Sequence, residues 1–154
     1  MKTILILFSA LLLFVLPPKE DADAPFKKCN TIKIVPPEND TTILKNFADF
    51  LEIKGIYIQS FNPDIDNLKT EWFILGGAVN TKSQIFARYD DVREKHVFYV
   101  TGYYAYGIHI DSKKYKMAYK NPNFSTDGAL FQLVDKYCRE FAAQYGYQVF
   151  YQKR

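Results

Sequence analysis

The sequence predicts an α+β fold in which a mainly antiparallel sheet carries two helices on one face. Two segments place apolar residues at helical spacing, the segments around them alternate apolar and polar residues as strands do, and short turns join most consecutive strands. Strands joined by short turns pair antiparallel, and both helices must bury their apolar stripes on the same sheet. The predicted order is β-α-β-β-β-β-β-α-β, which makes a two-layer sandwich.

The composition indicates one folded domain. The chain has 154 residues, of which 48% are hydrophobic and 17% aromatic, so it can bury enough apolar surface to offset the entropy of ordering. The net charge of +3 is modest, and lysine and arginine alternate with acidic residues along the chain. This distribution argues against nucleic acid as a partner.

The N-terminus has the pattern of an export signal. Lys2 precedes an unbroken apolar run from residue 4 to 16, which is too short for an ordinary membrane-spanning helix. The small-x-small pattern Ala22-Asp23-Ala24 marks a cleavage site, although Pro25 disfavours a cut there. Residues 1–24 are therefore a signal peptide or a short membrane anchor, and an uncut chain would associate with a membrane through residues 4 to 16.

Export places the protein in the periplasm or outside the cell.

Residues 25–28 are interpreted as a linker, and residues 29–154 as a single α+β domain. Its first strand covers residues 30–35. The first helix follows, with Asp40 or Thr41 as its N-cap and Gly55 as its stop.

The middle of the domain reads as a meander of five strands. Gly102 or Gly107 would bend the longest of them, which exceeds the usual strand length. A second helix starts at Ser125 or Thr126 and ends at Gly146, and a last strand covers residues 147–151. The five predicted strands of the meander cover residues 56–61, 70–79, 83–89, 97–111 and 115–119.

A resemblance to a known family rests on the first helix and the strands after it. The residues that carry it are Leu44-Lys45-Asn46-Phe47-Ala48-Asp49-Phe50-Leu51, Gly55-Ile56-Tyr57-Ile58, Asp64 and Thr70-Glu71-Trp72. This succession resembles small bacterial envelope lipoproteins of the BamC type, whose domains have a helix-grip fold. The resemblance implies an accessory or scaffold-like envelope protein without catalytic chemistry. The chain departs from that family in lacking the lipid-attachment cysteine.

Catalytic and metal-binding patterns are absent from the sequence. The two histidines, His96 and His109, do not form close ligand pairs with the cysteines, so we expect no metal site. There is no G-x-S-x-G elbow and no phosphate-cradling loop, so we expect no cofactor and no enzyme activity. Cys29 and Cys138 permit one disulfide in an oxidising compartment, whereas the alternative is a buried thiol at Cys138.

The long strand 97–111 supplies the candidate binding surface, because its alternate residues must lie on opposite sides of the sheet. Even positions are apolar and should face the helices, whereas odd positions form a mixed aromatic and polar row that we expect to be accessible. Within that row we select Tyr99 and Tyr103 for contact area, and His109 with Asp111 as a hydrogen-bonding pair. The even positions are Phe98, Val100, Tyr104, Tyr106, Ile108 and Ile110, and the odd ones also include Val97, Thr101, Ala105 and Gly107.

Three functions follow in order of preference. The first is a non-enzymatic exported or envelope protein that binds another protein through the aromatic sheet face. The second is a small-ligand binder with a pocket between helix and sheet. The third is a hydrolytic enzyme that would use His109, a carboxylate and a nucleophile in such a pocket.

Overall fold

The protein is an α+β sandwich of one antiparallel sheet and two helices. The computed structural model describes residues 21–37, 40–62, 67–75, 81–90, 97–107, 113–120 and 125–154. The elements run in the order β1 (Thr31–Val35), α1 (Ile43–Ile53), β2 (Ile58–Asn62), β3 (Asn67–Thr70), β4 (Phe73–Ile74), β5 (Thr81–Asp90), β6 (Val97–Tyr106), β7 (Lys114–Lys116), α2 (Thr126–Tyr145) and β8 (Gln148–Gln152).

The fold class is confirmed, with one more strand than predicted. The sheet order is β2-β3-β5-β6-β1-β8, with β4 also pairing with β5 and β7 with β6. Of the strand predicted over 70–79, only Thr70, at the end of β3, and the short strand β4 are observed as strand, because β3 and β4 pair with successive parts of β5 and the chain leaves the ladder between them; residues 76–79 lie outside the described residues. The N-terminal strand β1 lies between β6 and β8, so the two ends of the domain are neighbours.

Local capping signals place the helix ends close to where they were predicted. Gly55 and Gly146 both have positive φ after the helices, a conformation that glycine adopts without strain. The Ser125 hydroxyl accepts a hydrogen bond from the Gly128 amide at the start of α2. At α1 the N-cap is Thr42 and neither Asp40 nor Thr41, because the helix begins one residue later than predicted; the Asp40 carboxylate accepts a hydrogen bond from the Thr42 amide.

Both helices cover the same face of the sheet, hereafter the helix-covered face. The helix α2 lies over β6, β1 and β8, and α1 lies over β2, β3 and β5. Phe47 of α1 sits at the centre of this layer, edge-on to Phe98 of β6 and to Phe141 of α2, with 5.1 Å between ring centroids in each pair. These three side chains are fully buried. These three aromatic side chains thus join the two layers.

Gly102 allows close packing and does not bend β6. Phe98, Val100 and Tyr104 all belong to the buried core, so the alternation of faces continues unbroken through Gly102. A Cβ atom at this position would lie 3.0 Å from both Leu130 Cδ2 and Met117 Sδ. The strand instead ends at Gly107, which has a φ of +90°. Ile108 and Ile110 lie outside the described residues.

Tyr106 departs from the predicted even row. Its side chain is 54% exposed, although it belongs to the helix-covered side of the strand. It lies at the end of β6, where its ring packs edge-on against Tyr104 and its hydroxyl reaches the Thr126 hydroxyl at the start of α2. The helix begins there, so it cannot cover the ring.

Residues 21–28 pack against the sheet, although the sequence assigned them to the end of the signal and to a linker. Ala22 forms an antiparallel bridge with Tyr151 of β8. The Asp21 carboxylate lies 2.7 Å from the Lys33 ammonium and also accepts a hydrogen bond from Gln152. Phe26 packs on the core cluster.

In the described part of the chain, no helix is long and apolar enough to cross a membrane.

The single disulfide that two cysteines would permit is not formed. Cys29 and Cys138 are both free and fully buried in the core. Burial raises the pKa of both thiols, and the nearby Asp135 carboxylate raises it further. Both cysteines therefore act as small apolar core residues.

Candidate functional site

The sheet face opposite the helices, hereafter the open face, carries the candidate site. The strand registers place Lys33, Tyr99 and Arg88 side by side across β1, β6 and β5 on this face. The next accessible row holds Lys116 and Tyr103, which pair across β7 and β6. Cationic and aromatic side chains therefore alternate over the middle of the sheet.

A cleft of about 190 Å³ lies on the open face at the centre of these rows. Strands β1, β5, β6 and β7 and the C-terminal residue supply its walls. The residues that line it are Thr31, Phe86, Arg88, Tyr99, Val100, Thr101, Tyr103, Lys116 and Arg154. Two of the four predicted binding residues, Tyr99 and Tyr103, thus come together at one site.

Tyr99 is far less accessible than the sequence suggested. The Arg154 guanidinium stacks on its ring at 3.6 Å from the centroid, and Arg88 approaches the same ring at 6.0 Å. The side chain is consequently only 6% exposed. The expectation of an accessible Tyr99 was wrong, because long cations from other parts of the chain cover it.

Tyr103 is the more accessible of the two predicted tyrosines and is half-buried. It lies between Lys116 on β7 and Gln84 on β5. Thr101, one step along the same row, is held by a hydrogen bond from its hydroxyl to the main-chain oxygen of Asn30, at 2.7 Å. Tyr103 and Phe86 are therefore the aromatic groups of the cleft that are only partly buried.

The rest of the predicted odd row does not form a continuous accessible surface. Val97, Thr101 and Ala105 are buried. His109 and Asp111 lie outside the described residues, so the proposed hydrogen-bonding pair stays a prediction.

Sequence reasoning missed Arg88, Lys116 and Arg154. A signal existed for two of them, because Lys82 and Arg88 on β5 and Lys114 and Lys116 on β7 each occupy the same face of a strand. Strand parity alone could have indicated a basic face. Arg154 gave no such signal, because its position over Tyr99 depends on the long-range order β6-β1-β8.

Polar contacts hold the Arg154 side chain in place. Its Nε donates a hydrogen bond to the Gln152 side-chain oxygen at 2.8 Å, and its amide donates to the Asn30 side-chain oxygen at 2.9 Å. The Lys116 ammonium lies 3.3 Å from the main-chain oxygen of the same arginine. The cations of the cleft are thus positioned before any ligand arrives, which lowers the entropy cost of binding.

The groups with clearly shifted pKa values belong to the helix side of the molecule. Burial raises the pKa of Tyr104 to about 12, with a contribution from Asp127. Burial also raises the pKa of Tyr151, whose hydroxyl donates to Asp135 at 2.5 Å. These groups contact structural partners and do not line the cleft. The described residues contain no group of three or more His, Cys, Asp or Glu that could hold a metal ion.

The cleft lies on the side of the sheet away from both helices. It therefore differs from the helix-to-sheet pocket that the small-ligand hypothesis requires. No protein-family model matches the chain, and no curated protein matches it.

Proposed function

We propose that this protein is a non-enzymatic exported interaction protein that binds another protein through the open face. One observation carries the proposal: the cleft gathers Tyr99, Thr101 and Tyr103 of one strand on the face opposite the two described helices. A face of this kind is where a sheet protein can meet a partner without disturbing its core.

The chemistry of the cleft supports recognition more than turnover. Tyrosine and arginine are the residues that dominate binding energy at protein interfaces, and both types line it. Among the described lining residues there is no histidine, cysteine or carboxylate that could serve as a general base. The resemblance to envelope lipoproteins, which implies an accessory role, agrees with this proposal.

Tyr103 is a better residue than Tyr99 for a substitution that tests binding. Replacing Tyr99 would remove the ring beneath Arg154 and Arg88 and would disturb the fold together with the surface. Tyr103 is half-buried, so its substitution separates binding from stability more cleanly.

Site-specific photo-crosslinking tests the proposal in the native envelope. A photoreactive phenylalanine derivative replaces Tyr103 in the full chain, and the matched control carries it in place of Tyr145. Tyr145 is 38% exposed and lies on α2, on the other side of the molecule. We expect one discrete crosslinked protein species from position 103 and not from position 145. Equal crosslinking from both positions, or none from position 103, would overturn the proposal.

A further inference from the structure

Among the described side chains, the open face is rich in lysine and arginine, although the whole chain carries a net charge of only +3 and one of these cations, Lys33, is paired with Asp21. Strand registers and ring contacts assign a set of lysines and arginines to this one side of the sheet. Its charge is therefore concentrated where a partner would dock, a distribution that attracts anionic groups and speeds their encounter. The cationic residues on this face are Lys33, Lys69, Lys82, Arg88, Lys114, Lys116 and Arg154.

The cleft concentrates this charge further. Arg88, Lys116 and Arg154 all line it. The hydroxyls of Thr31 and Thr101 belong to the same wall. Planar guanidinium groups donate two parallel hydrogen bonds to a carboxylate, and a lysine adds a third charged donor.

The dimensions and the aromatic rings distinguish between anionic partners. A volume of about 190 Å³ is smaller than the pockets of about 300 Å³ or more that hold whole small-molecule ligands. Binding of single-stranded nucleic acid relies on aromatic faces open for stacking of bases. The face of Tyr99 is covered by Arg154 at 3.6 Å, so of the two tyrosines in the cleft only the half-buried Tyr103 offers a ring for stacking. The cleft therefore suits a side chain better than a nucleotide.

We infer that the cleft binds a glutamate or aspartate side chain from an acidic segment of the partner protein, an inference that rests on the proposed function. Arg88, Arg154 and Lys116 contact the carboxylate, and Tyr103 packs against the neighbouring residue of the segment. Lys69, Lys82 and Lys114, which lie on the same face outside the cleft lining, attract the remaining acidic residues of the segment.

Fluorescence anisotropy with the full chain tests the inference. The probes are a labelled, end-blocked peptide that alternates glutamate and glycine, the matched peptide with glutamine for glutamate, and a labelled oligothymidine. We expect the glutamate peptide alone to bind, with an affinity that falls as sodium chloride is added. Lys116→Gln and Arg154→Gln should each weaken binding by about three- to tenfold, since each removes one charged donor.

Lys45→Gln is the matched control, because it removes one exposed lysine from α1 on the other side of the molecule. It should change the affinity for the glutamate peptide less than about twofold. Arg154→Lys keeps the charge but loses the planar fork, so an intermediate affinity is expected. Circular dichroism of each variant verifies that the fold is retained.

The other possible results would overturn the acidic-segment inference, and one of them would overturn the proposed function as well. Equal binding of the glutamate and glutamine peptides, or of neither, overturns the inference. Tighter binding of oligothymidine would assign the face to nucleic acid. If the peptides fail while a photoreactive group at position 103 still captures a discrete partner, the proposed function stands and the acidic-segment inference falls. If both experiments fail, both proposals fall.

Discussion

The two faces of the sheet use the same strand alternation for different purposes. On the helix-covered face, Phe98 packs into a layer of aromatic rings from both helices and is fully buried. On the open face, Tyr99 lies next to it in sequence but is covered by two arginines. Packed aromatic rings cover Phe98 on the helix-covered face, whereas arginine side chains cover Tyr99 on the open face. We propose that these arginines also contact a partner. The difference predicts that stability and recognition depend on different residues of one strand.

The largest effect should come from Phe98→Ala on the helix-covered face. This change leaves a cavity beside Phe47 and should cost about 3 to 5 kcal/mol of unfolding free energy, measured by urea denaturation. The matched change on the open face is Tyr103→Ala in the same strand. Since Tyr103 is only half-buried, we expect a loss of about 1 to 2 kcal/mol. Equal losses would mean that the two faces do not divide these tasks.

Gly102→Ala probes how tightly α2 and the segment after β7 press on β6. The added methyl would meet Leu130 Cδ2 and Met117 Sδ at 3.0 Å. Overpacking of this kind should lower the unfolding free energy by about 1 to 3 kcal/mol. Thermal denaturation followed by circular dichroism measures it. Combining the change with Leu130→Ala should recover part of that loss, and an absence of coupling between the two would contradict the packing.

Asp21→Asn tests whether the segment before β1 belongs to the open face. The Lys33 side chain is only 7% exposed, so the loss of its carboxylate partner leaves a poorly solvated cation. We expect a loss of about 1 to 2 kcal/mol in urea denaturation. Asp23→Asn serves as the control, since it removes a neighbouring exposed carboxylate. An equal response of both variants would show that the ion pair does not stabilise the fold.

The smallest effect concerns acid stability on the helix side. Burial alone would raise the pKa of Asp127, but hydrogen bonds from Lys120 and Ser125 outweigh it and lower the pKa. Its folded-state pKa thus lies below its unfolded value of about 4, so its contribution is present above that pH and is lost as the pH falls further. Asp127→Asn should lower stability at pH 7 by less than about 1 kcal/mol and flatten the decline between pH 5 and 2.

Asp49→Asn is the control for this measurement, because Asp49 is an exposed carboxylate on α1. Denaturation midpoints taken at several pH values compare the two variants. If the decline with acid is as steep in Asp127→Asn as in the unchanged protein, the contact between Lys120 and Asp127 does not contribute to acid stability.

The capping of α2 and the strand alternation of β6 were predicted correctly from the sequence, because both depend on residues that are close together along the chain. Ser125 caps α2 and Gly146 ends it because these requirements involve only neighbouring residues. The alternation in β6 correctly placed Phe98, Val100 and Tyr104 on the helix-covered face. The fold class followed from the same two periodicities.

The candidate site was predicted only in part, because it depends on strand order. Tyr99 and Tyr103 were found from the alternation within one strand. Their cationic neighbours Arg88, Lys116 and Arg154 come from other strands and from the chain end. Arg154 reaches Tyr99 because β1 and β8 follow β6 in the sheet, and no local pattern in the sequence specifies that insertion.

The bridge between Ala22 and Tyr151 has a consequence for aggregation. The strand β8 lies at the end of the sheet order, and an edge strand offers unpaired backbone groups to any other chain. The Ala22 amide and carbonyl bond the Tyr151 carbonyl and amide at 3.2 and 2.8 Å, so the segment blocks this edge near the C-terminal end of β8. A chain cut after Ala24 would lose the block together with Asp21. It would present a bare edge for pairing with a second chain, whereas a cut before Asp21 would leave the protein protected.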